Sequence, residues 1–222
     1  MQNQSHLVLI RHGESTYNEK NLFTGWEDVK LTEKGTKQAH SAAPLIQHIT
    51  FTHAFTSELI RAQNTLNIIL TDMNQQVDVI KNIALNERDY GSLVGQNKTD
   101  AAKQYGKKQV QEWRRSYDTP PPNGESLEMT AKRSIPYFQN NIEPLLKENN
   151  NIIVSAHGNS IRSIVMYLHS FNSEQILKTE IGWCEPWIYT FTNGMKTDFK
   201  ITPRPHSKSK SHFPETSEYA NE

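Results

Sequence analysis

Along the chain, short apolar runs alternate with longer segments in which apolar residues recur every three to four positions. Runs of that kind suit strands covered on both faces, and the longer segments suit the helices that cover them. Leu7 to Ile10 reads as such a strand and leads into Arg11-His12-Gly13. Thr32 is positioned to cap a helix with Ala39, Ala42, Ala43, Leu45, Ile46 and Ile49 on its apolar positions. Ala54 to Thr56 and Val77 to Ile80 are further strand candidates, and Glu58 to Leu70 between them has helical spacing. Ala84 to Gln96, polar and with two glycines, is expected to be loop.

Two helices are predicted between Lys98 and Ser116, divided near Gly106. Pro120-Pro121-Pro122-Asn123-Gly124 imposes an extended or turning link. A long helix from Glu125 towards Leu146 carries Pro136, where a kink is expected. Asn151 to Ala156 is the clearest buried strand and ends in His157-Gly158-Asn159-Ser160, before a helix to Leu168. Trp187 to Thr192 and Asp198 to Ile201 read as a closing strand pair. The predicted fold class is α/β, three-layer, with a mostly parallel central sheet flanked by helices. Residues 203–222 are rich in Ser, Lys, Glu and Pro without apolar period, so a flexible polar tail is expected after one folded unit over 1–202. The functional alternative for that tail is a flap over a site.

Composition narrows the classes. The 222 residues suit one sizeable core, and 24 basic residues balance 24 acidic ones. That balance argues against a dedicated nucleic-acid or membrane-surface protein, though not against a local basic pocket. Cys184 is the single cysteine, so no internal disulfide can form. Met1 to His6 lacks the basic flank and apolar core of a signal peptide, and no apolar run approaches the roughly 20 residues of a membrane span. A cytoplasmic protein is the expectation.

Two strand ends deliver a histidine into a turn, His12 and His157, each followed by glycine. Ligands of open α/β sheets bind beyond the carboxyl ends of strands. A helix starting after each turn would point free N–H groups at an anion. Either histidine alone is more often a satisfied core residue, but the matched pair suggests one nucleophile and one positively charged partner for phosphoryl transfer. Arg11, Arg61, Arg88, Arg114 and Arg115 border the same sheet edge, and arginine's planar fork matches phosphate oxygens. Glu87 is a candidate general acid or base, with a pKa expected to rise through burial and nearby phosphate charge. Its ordinary alternative is a salt-bridging loop residue. The other seven histidines show no metal-ligand spacing, and no nucleotide-binding glycine loop is present.

Leu9-Ile10-Arg11-His12-Gly13-Glu14-Ser15 resembles the signature of the histidine phosphatase superfamily. Phe23-Thr24-Gly25-Trp26, Glu87-Arg88-Asp89-Tyr90-Gly91, Trp113-Arg114-Arg115 and Gly124-Glu125-Ser126-Leu127 narrow the resemblance to its cofactor-dependent phosphoglycerate mutases. The resemblance runs from about His6 to Thr192, a catalytic unit with a phosphoglycerate mutase-like fold. It implies interconversion of 2- and 3-phosphoglycerate, primed by 2,3-bisphosphoglycerate and without a metal. It implies that His12 carries the phosphoryl group, that Arg11, Arg61 and His157 hold that group in flight, and that Glu87 moves the proton. Ser15, Asn18, Thr24, Gly25, Arg88, Tyr90, Lys98, Arg114, Arg115, Gly158 and Asn159 would bind substrate. Small phosphorylated molecules are the implied partners, with the chain a homodimer or a monomer. A phosphatase of the same superfamily and a catalytically silent binding module are the alternatives. Three features depart from the family pattern: the short Asn123-Gly124 link, the Gly182-Trp183-Cys184-Glu185-Pro186-Trp187 stretch, and the tail after Ile201.

Overall fold

The computed structural model describes residues 4–205, 207 and 210–214. Strands β1 (Gln4–Arg11), β2 (His53–Thr56), β3 (Val79–Lys81), β4 (Ile152–Ala156), β5 (Trp187–Thr192) and β6 (Met195–Ile201) form one sheet, ordered β3-β2-β4-β1-β5-β6. The first four are mutually parallel, and β5 and β6 close the sheet antiparallel. Helices α1 (Thr16–Glu19), α2 (Glu33–Ala42), α3 (Ile60–Asp72), α4 (Lys98–Tyr105), α5 (Lys107–Arg115), α6 (Leu127–Tyr137), α7 (Glu143–Lys147), α8 (Gly158–Leu168) and α9 (Ser173–Lys178) complete the chain order.

Leu7–Ile10 of β1 and Ile152–Val154 of β4 are uninterrupted apolar runs because both faces of the sheet are covered there. Leu7 and Leu9 of β1 enter a core shared with Leu127 of α6 and Ile161 and Ile164 of α8. Val8 and Ile10 point the other way, among Ala39 and Ala42 of α2 and Leu66 and Ile69 of α3. Each such fully buried aliphatic side chain contributes roughly 1.5–3 kcal/mol. The result is the expected three-layer α/β fold. Parallel pairing also brings the carboxyl ends of β1, β2 and β4 side by side, with Arg11 opposite Ala156 and Thr56 opposite Ser155. Among the described residues, no helix is long and apolar enough to cross a membrane.

The structure differs from expectation where proline and local hydrogen bonds decide. The α2 helix stops at Ala42 and tightens into a 3₁₀ turn over Ala43–Ile46, because Pro44 lacks the N–H that would continue the ladder. The predicted long helix is three pieces: α6 with Pro136 in its last turn, a π-helical turn over Phe138–Ile142, and α7 with Pro144 in its first turn. Helix α9 was not predicted, although Asn172 and Gln175 form a capping box at its start.

The largest difference is in the expected tail. Phe213 packs against the first core, 5.1 Å from the Phe199 ring centroid and 5.9 Å from that of Trp187. Backbone pairing joins His212 to Glu180 in both directions at 2.9 Å. Ser211 Oγ accepts from Gly182 N and Trp187 Nε1, each at 2.9 Å. One aromatic anchor and a few paired donors are enough to fix this strap, and a polar composition hides them. The rest of the expected tail, 206, 208, 209 and 215–222, lies outside the described residues.

Candidate active site

His12 leaves β1 with its N–H bonded to the Ala156 carbonyl at 3.0 Å, so two neighbouring strand ends fix its backbone. The next residue is held just as closely. A Cβ on Gly13 would lie 2.3 Å from the Gly35 carbonyl oxygen, and one on Gly35 would lie 2.1 Å from that of Glu14. Glycine at position 13 therefore serves an approach of chain to chain rather than of chain to ligand. Gly158 differs: an added Cβ there would meet Arg11 at 3.6 Å, an ordinary contact.

The His12 Nδ1 lies 2.6 Å from the Gly13 carbonyl, which can only accept, so Nδ1 carries the proton and Nε2 keeps its lone pair. Burial pushes the His12 pKa well below the ordinary value, and the Arg61 and Arg11 guanidiniums push it further. The ring is therefore neutral at pH 7, the form a nucleophile needs. His157 stands beside it, ring centroids 4.9 Å apart, with Nε2 2.7 Å from Ser57 Oγ. Its pKa is also held well below the ordinary value, by burial first and then by Arg61 and His12. The expectation of a positively charged imidazole partner is corrected. Positive charge here comes from Arg11 and Arg61, because burial first and the guanidiniums next disfavour a proton on either ring.

Arg61 donates to the Gly25 and Glu27 carbonyls at 2.8 and 2.9 Å, and Arg11 to the Ile181 carbonyl at 2.9 Å. These bonds fix both side chains. Among the described residues, the buried Arg11 Nε, Arg61 Nε and His157 Nδ1 have no hydrogen-bond partner. Burial lowers the Arg61 pKa to about 10, so it stays charged at pH 7.

Glu87 is a carboxylate in this setting. Burial alone would raise its pKa, but the Arg88 N–H, Arg11, Asn159 and Arg61 outweigh it and hold the value below the ordinary range. The expected rise is thus reversed in the protein by itself. Arg88 N (2.8 Å), Asn159 N (3.1 Å) and Asn159 Nδ2 (2.9 Å) all donate to Oε1. Among the described residues no donor is paired with Oε2, so one carboxylate oxygen is anchored and the other can exchange a proton. The Glu87 carbonyl is held by Trp26 Nε1 at 2.6 Å and Arg133 Nη2 at 2.9 Å, and Arg133 is itself clamped by Glu125. Arg133 supports the loop from outside the cleft and carried no sequence signal.

One pocket is lined by Arg11, His12, Asn18, Thr24, Gly25, Arg61, Glu87, Tyr90, Lys98, Arg114, Arg115, Gly158 and Asn159. Three expected residues do not line it. His157 is fully buried beside His12. Ser15 caps α1, with its Oγ 3.0 Å from Asn18 Oδ1. Buried Arg88 donates to Tyr90 Oη at 2.9 Å and to the Arg114 carbonyl at 3.0 Å, so it supports the pocket wall. Helix N-termini also behave differently from expectation. The single turn α1 is closed by the Ser15–Asn18 capping box, and the Asn159 N–H of α8 is used by Glu87.

Arg162, Glu180 and Ile181 also line the pocket, and sequence reasoning missed them. Arg162 was findable: it stands three positions after Asn159 on the same face of α8. Glu180 offers no such signal. At the far end, burial lowers the pKa of Lys98 and Arg114, and neighbouring guanidiniums add to the effect. Among the described residues, no group of three or more His, Cys, Asp and Glu side chains is arranged to hold a metal ion.

The 2,3-bisphosphoglycerate-dependent phosphoglycerate mutase 2 of Gloeobacter violaceus is 51% identical, over 91% of this chain and 97% of that protein. Among solved structures, the alpha-ribazole phosphatase of Shigella flexneri superposes with a TM-score of 0.75 at 23% identity, covering 89% of this chain and 95% of that one. A phosphoglycerate mutase of Bacillus anthracis gives a TM-score of 0.70 at 22% identity, covering 88% and 92%. At those identities the structures speak for the fold alone. The sequence profile of the histidine phosphatase superfamily (branch 1) matches residues 7–197, which span both histidine turns and Glu87. The chain belongs to the histidine phosphatase superfamily.

Proposed function

We propose that this protein interconverts 2-phosphoglycerate and 3-phosphoglycerate with a phosphoryl group carried on His12. One observation carries the reading: a neutral histidine with a free Nε2 and an anchored carboxylate share a single pocket with a second cationic end at Lys98, Arg114 and Arg115. A phosphatase needs only the first end. A mutase must also grip the rest of its ligand while the ligand turns. The 51% identical relative named as a phosphoglycerate mutase supports the same choice.

In this mechanism the substrate hydroxyl attacks phosphorus on His12, and the N–P bond breaks as the new O–P bond forms. Glu87 Oε2 takes the hydroxyl proton. Arg11 and Arg61, which line the pocket, stabilise the transferring oxygens by their positive charge. The doubly phosphorylated ligand turns within the pocket, held by the far-end cations. His12 Nε2 then takes the other phosphoryl group, and Glu87 returns its proton to the leaving oxygen. Atoms and protons balance over the cycle. The orphaned buried donors and the cationic far end fit 2,3-bisphosphoglycerate, which when bound would supply the phosphoryl group that first loads His12.

The phosphatase alternative would gain weight if the divergent tail after Ile201 left the site open to water. Arg204, Ser211 and His212 instead hold the segment from Glu180 to Trp183, which removes that reason for these residues. The test is direct: purified protein given 3-phosphoglycerate and a trace of 2,3-bisphosphoglycerate should form 2-phosphoglycerate faster than it releases inorganic phosphate. Phosphate release exceeding isomerisation would overturn the reading.

A further inference from the structure

The pocket carries six cationic side chains, Arg11, Arg61, Lys98, Arg114, Arg115 and Arg162, and two carboxylates. Glu87 has its proton to move. Glu180 has no part in the transfer, yet it is built into the wall with care. Its Oε1 is bonded by Arg115 Nη1 and its Oε2 lies 2.9 Å from Arg162 Nη2. Arg162 is buried, and its Nε donates to the Thr179 carbonyl at 2.7 Å. The Glu180 backbone is paired in both directions with His212 of the strap. A half-exposed carboxylate is thus fixed between two arginines, one of them in the far-end group proposed to grip substrate.

We infer that Glu180 is a specificity-determining residue that weakens the pocket's hold on doubly phosphorylated ligands relative to singly phosphorylated ones. The inference rests on the mutase reading only for the identity of those ligands. A phosphate group carries about two negative charges at pH 7. A fixed anion at the pocket wall repels each of them, so the ligand with more charge loses more. It also occupies Arg115 and Arg162, two of the cations an added phosphate would seek. For an enzyme whose intermediate is doubly phosphorylated, such a brake keeps that ligand from being held too tightly to turn or leave. The strap bears on this through the Glu180–His212 pairing, which fixes where the carboxylate stands.

Binding without turnover tests the claim. Calorimetric titration with orthophosphate and with pyrophosphate gives two dissociation constants, and their ratio measures charge discrimination in the pocket. Removing the charge in Glu180→Gln should tighten pyrophosphate about five- to tenfold more than orthophosphate, an effect that shrinks as salt rises. Glu180→Asn should shift the ratio the same way, and Glu180→Asp should restore the wild-type ratio. In turnover, the apparent KM for 2,3-bisphosphoglycerate should fall more than that for 3-phosphoglycerate. An unchanged ratio, or equal weakening of both probes, would mean that Glu180 only supports Arg115 and would overturn the inference. A shifted ratio in a protein without mutase turnover would instead leave this inference standing and remove the mutase reading.

Discussion

The two ends of the pocket are built in different ways. The reacting end rests on strand ends: His12 follows β1, His157 follows β4, both rings are essentially fully buried, and the strands they follow lie between the two large cores. The far end rests on α4 and α5, under which lies a small cluster of Phe23, Leu93, Ala101 and Val110. Its Arg115 side chain is 37% exposed. The reacting end has to hold atoms to a fraction of an ångström, and a double core can do that. The far end has to hold charge while a ligand turns, and half-exposed guanidiniums on helices suit that task. Chemistry is therefore expected to fail when the first end is altered, and affinity when the second is.

The largest effect should come from His12→Ala, which removes the atom proposed to carry the phosphoryl group. Turnover should fall on the order of 10⁴-fold or more, as for loss of a covalent nucleophile. A kinetic assay at saturating substrate checks it, and retention of even a tenth of the rate would break the contrast. Glu87→Gln should cost about 10²–10⁴-fold in kcat with KM little changed, the range for loss of a positioned acid or base.

At the other end the sign of the contrast reverses. Arg114→Ala and Arg115→Ala should each raise KM about 10- to 100-fold, from loss of a charge-assisted contact worth roughly 1.5–3 kcal/mol. Their kcat should stay closer to wild type than in either reacting-end variant. A drop confined to kcat would place these arginines with the chemistry instead.

A gentler probe is pH. His12, His157 and His169 are all held below the ordinary histidine value, chiefly by burial, and His169 sits at about 3. Their unfolded value is about 6.5, so below that pH the unfolded chain binds more protons. The stability they contribute is complete above about pH 6.5 and is lost as pH falls, at up to about 1.4 kcal/mol per pH unit for each ring. Far-end arginines contribute nothing in this window. Thermal melts at pH 7.5 and pH 5 should differ clearly, and identical melts would contradict neutral buried rings.

The same divide explains what the sequence could tell. The central strands of the sheet were legible because double burial makes β1 and β4 continuous apolar runs. The reacting end was legible because a strand, a histidine and a glycine fall within a few residues of one another. Glu180 and Arg133 were not, because each acts through a partner brought near only by folding: Glu180 is 65 residues from Arg115, and Arg133 is 46 from Glu87. Protonation was misjudged for a related reason. His157 takes its state from burial and then from Arg61, and Glu87 from the Arg88 N–H together with Arg11, Asn159 and Arg61, and neither the burial nor the distant partners can be read from residue spacing. The strap over 210–214 was hidden by composition, since Phe213 is the one large apolar residue in it.

Everything on the reacting end turns on one covalent bond. Protein treated with 2,3-bisphosphoglycerate carrying a labelled phosphoryl group, then denatured and digested, should carry label on the peptide containing His12. The label should be stable in base and lost in acid, as expected of a phosphoramidate, and absent from His12→Ala. Label on another peptide, or none in a protein that still isomerises phosphoglycerate, would contradict the account.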